Sequence, residues 1–182
     1  MKTSFGIGKY RDLLFAIFLF IVLDLGILFF NYFGSIELER DASRINAAGE
    51  LRMLTQQITK SLLTLQSEQS AGLPTQTSMA QLSQGHVGFG RALVELKDSL
   101  AADLGYAGSN QQLQALREGL EKIEREWGPL GRTIEPLLGQ EAPLAEDVEL
   151  ATTKAVARNI RLMAQCDDLA RAVEQAANFK TS

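Results

Sequence analysis

The segment RINAAGELRMLTQQITKSLLTL, residues 44–65, decides the fold of most of this chain. At about 100° per residue, its aliphatic side chains fall on one stripe of a helix. That stripe consists of Ala47, Leu51, Leu54, Ile58, Leu62 and Leu65. A helix with one apolar stripe buries it against neighbouring helices, so the pattern predicts a member of a helical bundle.

Glycine and proline divide the rest of the chain into further helices of the same kind. We predict breaks at residues 71–74, 105–110 and 139–143. They leave four helices: the first over about residues 35–70, the second over about 77–104, the third ending at about 138 and the fourth ending at about 179. Pro143 is expected to be the first residue of the last helix, and Gly128-Pro129 is expected to kink or interrupt the third. No segment has the period-two alternation of a strand. The sequence therefore predicts an all-α protein with an up-down four-helix bundle over residues 35–179.

An apolar segment, LLFAIFLFIVLDLGILFFNYF, occupies residues 13–33 ahead of this bundle. It has the length of about 20 residues that a membrane-spanning helix needs, and it is longer than the apolar core of a cleaved signal. Lys2, Lys9 and Arg11 precede it, whereas Glu37 and Glu39 follow it. The positive-inside rule then places residues 1–12 in the cytoplasm and the bundle outside. We expect a single-pass protein of a bacterial inner membrane with a periplasmic domain.

Asp24 lies near the middle of the predicted span. An acid there costs about 2.5–3.5 kcal/mol on insertion scales. One interpretation is a polar contact with the membrane helix of a partner, and the other is a protonated acid that an otherwise apolar helix tolerates.

The composition argues against several classes of function. The chain has 182 residues, a net charge of −4, one cysteine (Cys166) and one histidine (His86). No intramolecular disulfide can form, and neither a metal site nor a nucleophile–base pair is expected. Without a basic patch, no nucleic-acid partner is expected. The sequence thus predicts a non-enzymatic protein without metal or cofactor.

A second stripe lies about 120° from the apolar one on the same helix. It is small and polar, and it consists of Ile45, Ala48, Gly49, Arg52, Gln56 and Thr59. It is either a solvated face or the seam of a symmetric homodimer. In the second case two copies of Arg52 meet at the two-fold axis and need an anion between them, which their planar donor forks suit.

Residues 44–57, RINAAGELRMLTQQ, resemble the I-N-x-A-G-x-x-R-M-x-[ST] box of one family of sensor domains. These are the N-terminal domains of type IV pilus methyl-accepting chemotaxis transducers, called PilJ-type. The box is also similar to the periplasmic segment of nitrate/nitrite sensor kinases. The resemblance covers about residues 36–174 and implies a periplasmic four-helix sensor that dimerises.

The resemblance also implies a ligand site. In the nitrate sensors the arginine of the L-R-M step binds the anion at the dimer interface, a role that falls here on Arg52, with Ala48 and Gly49 as close-packing neighbours. The family often carries a second arginine five residues later, where this chain has Gln57. This departure puts nitrate itself in doubt and favours weaker anion affinity or another ligand, such as a carboxylate.

A similar heptapeptide occurs in the predicted fourth helix, where NIRLMAQ at residues 159–165 matches ELRMLTQ at 50–56. Arg161 is therefore a second candidate for ligand or interface, unless the two helices are alike by chance. Core packing is the favoured role of Trp127, and a buried, inert thiol is the favoured interpretation of Cys166.

Two hypotheses of different classes remain. In the first, the chain is a sensory module that binds a small anion or a protein ligand and passes a helix shift into the span. In the second, it is an adaptor that pairs with a membrane receptor or with a pilus or envelope component. The adaptor hypothesis draws on the expectation that no output domain follows Ser182.

Overall fold

A computed structural model describes residues 7–104 and 111–180 of the chain. It contains the helices α1 (Ile7–Ser70), α2 (Gln76–Leu104), α3 (Gln111–Leu138) and α4 (Ala145–Lys180). The described residues include no strand, so the predicted all-α class is confirmed. The predicted turn at 105–110 and the basic residue Lys2 lie outside the described residues. The chain forms two compact units, residues 1–40 and residues 41–182.

The second unit is an antiparallel bundle in which each helix packs against the next. Side-chain contacts join Arg44 of α1 to Ser99 of α2, and Lys97 of α2 to Glu124 of α3. On the other side of the bundle, Gln69 near the end of α1 donates to the carbonyl of Pro143, just before α4 begins. Numbers rise along one helix as they fall along its neighbour, which is the up-down arrangement that the short turns predict.

The core of this unit contains the apolar stripe of α1. All six predicted stripe residues are buried. From α2 and α3, Phe89 stacks on Trp127 with ring centroids 4.0 Å apart, so Trp127 packs in the core as predicted. Such a pair contributes about 0.5–1.5 kcal/mol beyond the area that it buries.

The end of α1 is fixed by backbone hydrogen bonds around Gly72, whose φ is +67°. Leu73 donates to the carbonyl of Glu68 at 2.8 Å, and Gly72 donates to that of Gln69 at 3.1 Å. This is a Schellman motif, which needs a left-handed residue that glycine supplies at no steric cost. With Pro74 two residues further on, α1 ends at the predicted break over residues 71–74.

The structure differs from two local expectations about proline, the second only in part. Helix α4 begins at Ala145 rather than at Pro143, since the Leu144 carbonyl accepts the first helical hydrogen bonds. Helix α3 runs through Pro129, so the predicted interruption does not occur, and the predicted kink stays a prediction. Leu130 and Ile134, in the turns that follow, are buried, and their burial stabilises the helix against the loss of one backbone hydrogen bond.

The glycine-rich part of α2 lies close to α1. A Cβ built on Gly85 would come within 2.8 Å of Cγ1 of Ile58, and one on Gly88 would be 3.3 Å from Leu54. A Cβ on Gly90 would meet no atom within 4 Å. Tight packing against α1 therefore explains the glycines at positions 85 and 88.

The first unit consists of the N-terminal part of α1. Its large apolar side chains from Leu13 to Phe33 are exposed. Among the described residues, this is the one helix that is long and apolar enough to cross a membrane.

Candidate ligand-binding surface around Arg52

Arg52 lies on the outer side of α1, next to α4. Its Nε is 3.1 Å from Oδ1 of Asp167, and the two side chains are 54% and 36% exposed. The antiparallel register of α1 and α4 brings these residues together across 115 positions of sequence. A pair as exposed as this contributes at most about 1 kcal/mol to stability. What matters for binding is that its guanidinium remains accessible at the surface.

Gly49 and Gln56 lie on the same exposed side of α1, one turn before and one turn after Arg52. A Cβ on Gly49 would meet nothing within 4 Å. Gln56 is exposed, and its Nε2 is 3.7 Å from the sulfur of Met163 on α4. We call Gly49, Arg52 and Gln56 the Arg52 surface. It has a cation at its centre and an open space beside it.

Ala48 is not part of this surface, which corrects the expectation from helical spacing. Its side chain is 0% exposed and belongs to the core. Thr59 of the same predicted stripe is also buried, and Ile45 is half-buried. Because α1 packs against both α2 and α4, its buried arc is wider than the apolar stripe alone.

Gln57, where the resemblance led us to look for a second arginine, faces α2 rather than α4. Its Nε2 donates to the backbone carbonyl of Gln81 on α2 at 3.3 Å. The side chain is half-buried there. Arg52 therefore supplies the cationic charge of the Arg52 surface.

The chain does not bring Arg161 together with Arg52. Arg161 contacts Glu126 of α3 at 3.1 Å, and Arg158 contacts the other oxygen of the same carboxylate at 2.9 Å. Arg161 thus lies on the side of α4 that faces α3, whereas Asp167 lies on the side that faces α1. The similarity of the two heptapeptides does not place their arginines on one surface of the single chain.

Asp24 belongs to the first unit, where its side chain is exposed. Its predicted role toward a partner's membrane helix stays a prediction.

Two carboxylates that contact the candidate arginines, Asp167 and Glu126, were not predicted from the sequence. Asp167 and Asp168 form an acid pair that looks solvated from the sequence, but Asp167 pairs with Arg52, and Asp168 pairs with Arg171 at 3.1 Å. An antiparallel register counted from the end of α1 at Ser70 and the start of α4 at Ala145 pairs residue 52 with about residue 163, one turn before Asp167. The contact between Arg52 and Asp167 therefore depends on how the two helices pack, which no local motif predicts.

Cys166, next to Asp167 on α4, lies in the core. It is fully buried. Burial raises the pKa of its thiol to about 12; a hydrogen bond with Thr55 lowers this pKa, and the Asp167 charge raises it. The thiol is therefore protonated at neutral pH, which is the inert state that the sequence predicts.

An apolar strip borders the Arg52 surface on α4. Ile160 is 81% exposed, and Val156, one turn before it, is about half exposed. Met163, one turn after Ile160, is the residue that Gln56 contacts. Leu63 of α1 is also about half exposed. We call Leu63, Val156 and Ile160 the apolar strip.

The part of the chain described by the structure holds no group of three or more His, Cys, Asp or Glu residues placed to bind a metal.

Comparison with known families gives one match. The model of the PilJ family, described as the N-terminal domain of type IV pili methyl-accepting chemotaxis transducers, matches residues 35–158. The matched region contains the Arg52 surface and ends before Asp167. No curated protein and no solved structure matches the chain.

Proposed function

Because the chain belongs to the family of type IV pili methyl-accepting chemotaxis transducer N-terminal domains, we propose that its bundle is an extracytoplasmic sensor whose Arg52 surface meets a second copy and binds an anion. Family membership supports a sensory module of the chemotaxis-transducer type. The proposal depends on one observation, which is an exposed arginine at the centre of a helix surface that glycine leaves open.

Close approach of two bundles is supported by Gly49. Without a Cβ, and with no atom within 4 Å of where one would be, this position allows a second α1 helix to come near. In such a dimer the two Arg52 guanidiniums repel each other unless an anion lies between them. A nitrate, nitrite or carboxylate group fits two planar donor forks, and its binding stabilises the paired arrangement.

Anchoring in the inner membrane is supported by the candidate span near the N-terminus. The flanking charges support a cytoplasmic N-terminus and a periplasmic bundle. Ligand binding then favours one position of α1 over another, and a difference of about 1–3 kcal/mol between two states is enough for a switch. Asp24 in the span is the residue proposed to contact a second membrane helix.

The apolar strip supports a second candidate function, an adaptor for another protein. Its three aliphatic side chains are each about half exposed or more, and an exposed apolar patch is a feature of protein–protein contact sites. In this alternative the bundle pairs with a membrane receptor or with a pilus or envelope component, and no small ligand is involved.

Calorimetry on the full-length protein in detergent micelles separates the two functions. Nitrate, nitrite, acetate and succinate are titrated into the native chain, into Arg52→Ala, and into Arg117→Ala as a control. Arg117 is also exposed, but it pairs with Glu121 within α3. We expect binding that Arg52→Ala abolishes and Arg117→Ala leaves unchanged.

The same samples are then heated while Trp127 fluorescence is followed. A ligand present at 100 times its Kd stabilises the fold by about 2.7 kcal/mol, which raises the unfolding midpoint. Binding that persists in Arg52→Ala contradicts the proposed site. No response to any of the four anions, together with a membrane receptor that co-purifies, supports the adaptor.

A further inference from the structure

The carboxylate of Asp167 occupies the position beside Arg52 that an anionic ligand would take. We propose that Asp167 is an internal competitor, which holds the Arg52 guanidinium in the ligand-free state and sets the anion concentration that the sensor answers to. This inference rests on the proposed function of Arg52. It adds a regulatory residue from α4, which lies outside the box of residues 44–57 on α1.

The position of Asp167 on α4 is fixed by its buried neighbours along the helix. Cys166 and Leu169, on either side of Asp167 along the helix, are almost fully buried. The backbone of Asp167 is therefore fixed by the core, and its carboxylate stays within reach of Nε of Arg52 at 3.1 Å. A competitor tethered in this way acts at a high effective concentration without any entropy cost of association.

The contact is also open to solutes. Both side chains are more than a third exposed, and Arg52 is joined to Asp167 through Nε and a single carboxylate oxygen. An arriving anion can displace the carboxylate from Nε or bind at the other edge of the guanidinium. In either case the Asp167 charge opposes it, so the affinity for the anion is lower than an unpaired arginine would give.

The neighbouring acids do not share this role, because each has its own partner. Asp168 pairs with Arg171 at 3.1 Å, and Glu50 pairs with Arg91 of α2 at 3.4 Å. Asp167 is thus the carboxylate that the structure places against Arg52.

In a symmetric dimer the free-energy cost of displacing Asp167 is counted twice. One anion that contacts both Arg52 residues must overcome both Asp167 residues. An exposed ion pair of this kind changes a binding constant by up to about fivefold. Two of them change the affinity for an axial anion by up to about twenty-fivefold.

Asp167→Asn tests this inference, because asparagine keeps the shape of the side chain and removes its charge. The matched control is Asp168→Asn, which removes an equal charge one residue away. Both variants, and Asp167→Asn combined with Arg52→Ala, are prepared as full-length protein in detergent micelles. Nitrate and acetate are titrated by calorimetry at constant ionic strength, and Trp127 fluorescence checks that each variant is folded.

We expect Asp167→Asn to tighten anion binding by about twofold to twenty-fivefold, while Asp168→Asn changes it by less than about twofold. The double variant is expected not to bind. Unchanged or weaker binding in Asp167→Asn, with the dependence on Arg52 retained, overturns the competitor role and leaves the anion site standing. Absence of binding in both the native chain and Asp167→Asn overturns the anion site itself, and the competitor role with it.

Discussion

A methyl group at Gly85 tests how closely α2 approaches α1. The Gly85→Ala variant would place its Cβ 2.8 Å from Cγ1 of Ile58, which is itself buried and is not the mobile end of that side chain. Overpacking of this kind costs about 1–3 kcal/mol. Replacing glycine by alanine inside a helix returns about 1 kcal/mol. We expect Gly85→Ala to lower the free energy of unfolding by about 1 kcal/mol.

Gly90→Ala is the matched control, because it lies on the same helix and its Cβ meets no atom within 4 Å. It gains the same helix propensity without the clash, so it is expected to raise the free energy of unfolding by about 1 kcal/mol. The assay is urea unfolding of the full-length protein in detergent, followed by the fluorescence of Trp127. The two variants should differ by about 1–3 kcal/mol, with opposite signs relative to the native chain.

A double-mutant cycle makes the cause specific. Ile58→Ala removes the atom that the new methyl group meets, so Gly85→Ala should be better tolerated in that background. Equal stabilisation by Gly85→Ala and Gly90→Ala would refute the close packing of α2 against α1 at this point.

Two further predictions concern buried groups. Because the pKa of Cys166 is raised in the folded protein, only the unfolded thiol ionises between pH 9 and about 12. The free energy of unfolding is therefore unaffected below pH 9 and then falls by up to about 1.4 kcal/mol per pH unit relative to Cys166→Ala. Chemical unfolding measures this difference, and parallel pH profiles of the two proteins would contradict it. Arg44 is 4% exposed and contacts Ser99 and Asp41, so Arg44→Met is expected to cost about 1–3 kcal/mol. Arg117→Met, which breaks an exposed ion pair, should lower the free energy of unfolding by less than about 0.5 kcal/mol. Thermal unfolding of the two arginine variants and the native chain measures the difference.

The sequence predicted the helices well because their signals are local. Apolar spacing on α1 identified all six buried residues of its stripe, and Gly72 with Pro74 placed the end of that helix. Trp127 was assigned to the core for the same reason, since a large apolar side chain on a helix is most often buried.

The surface around Arg52 was predicted only in part. Helical spacing gives the direction of each side chain but not the width of the arc that neighbouring helices cover, so Ala48 was assigned to the surface although it is buried. The contacts of Arg52 with Asp167, and of Arg161 with Glu126, depend on how two helices slide past each other. That register is set by packing over the whole bundle, and no short motif encodes it.

The pairing of two Arg52 surfaces is tested most directly by disulfide cross-linking in membranes. In a Cys166→Ala background, Gly49→Cys places a thiol in the open space beside Arg52, and Glu118→Cys places one on the exposed side of α3. A disulfide needs the two Cα atoms within about 7 Å, so only surfaces that meet can form it rapidly. We predict that mild oxidation converts Gly49→Cys to a covalent dimer while Glu118→Cys stays a monomer. A monomeric Gly49→Cys protein, whether or not Glu118→Cys cross-links, would contradict the shared Arg52 site.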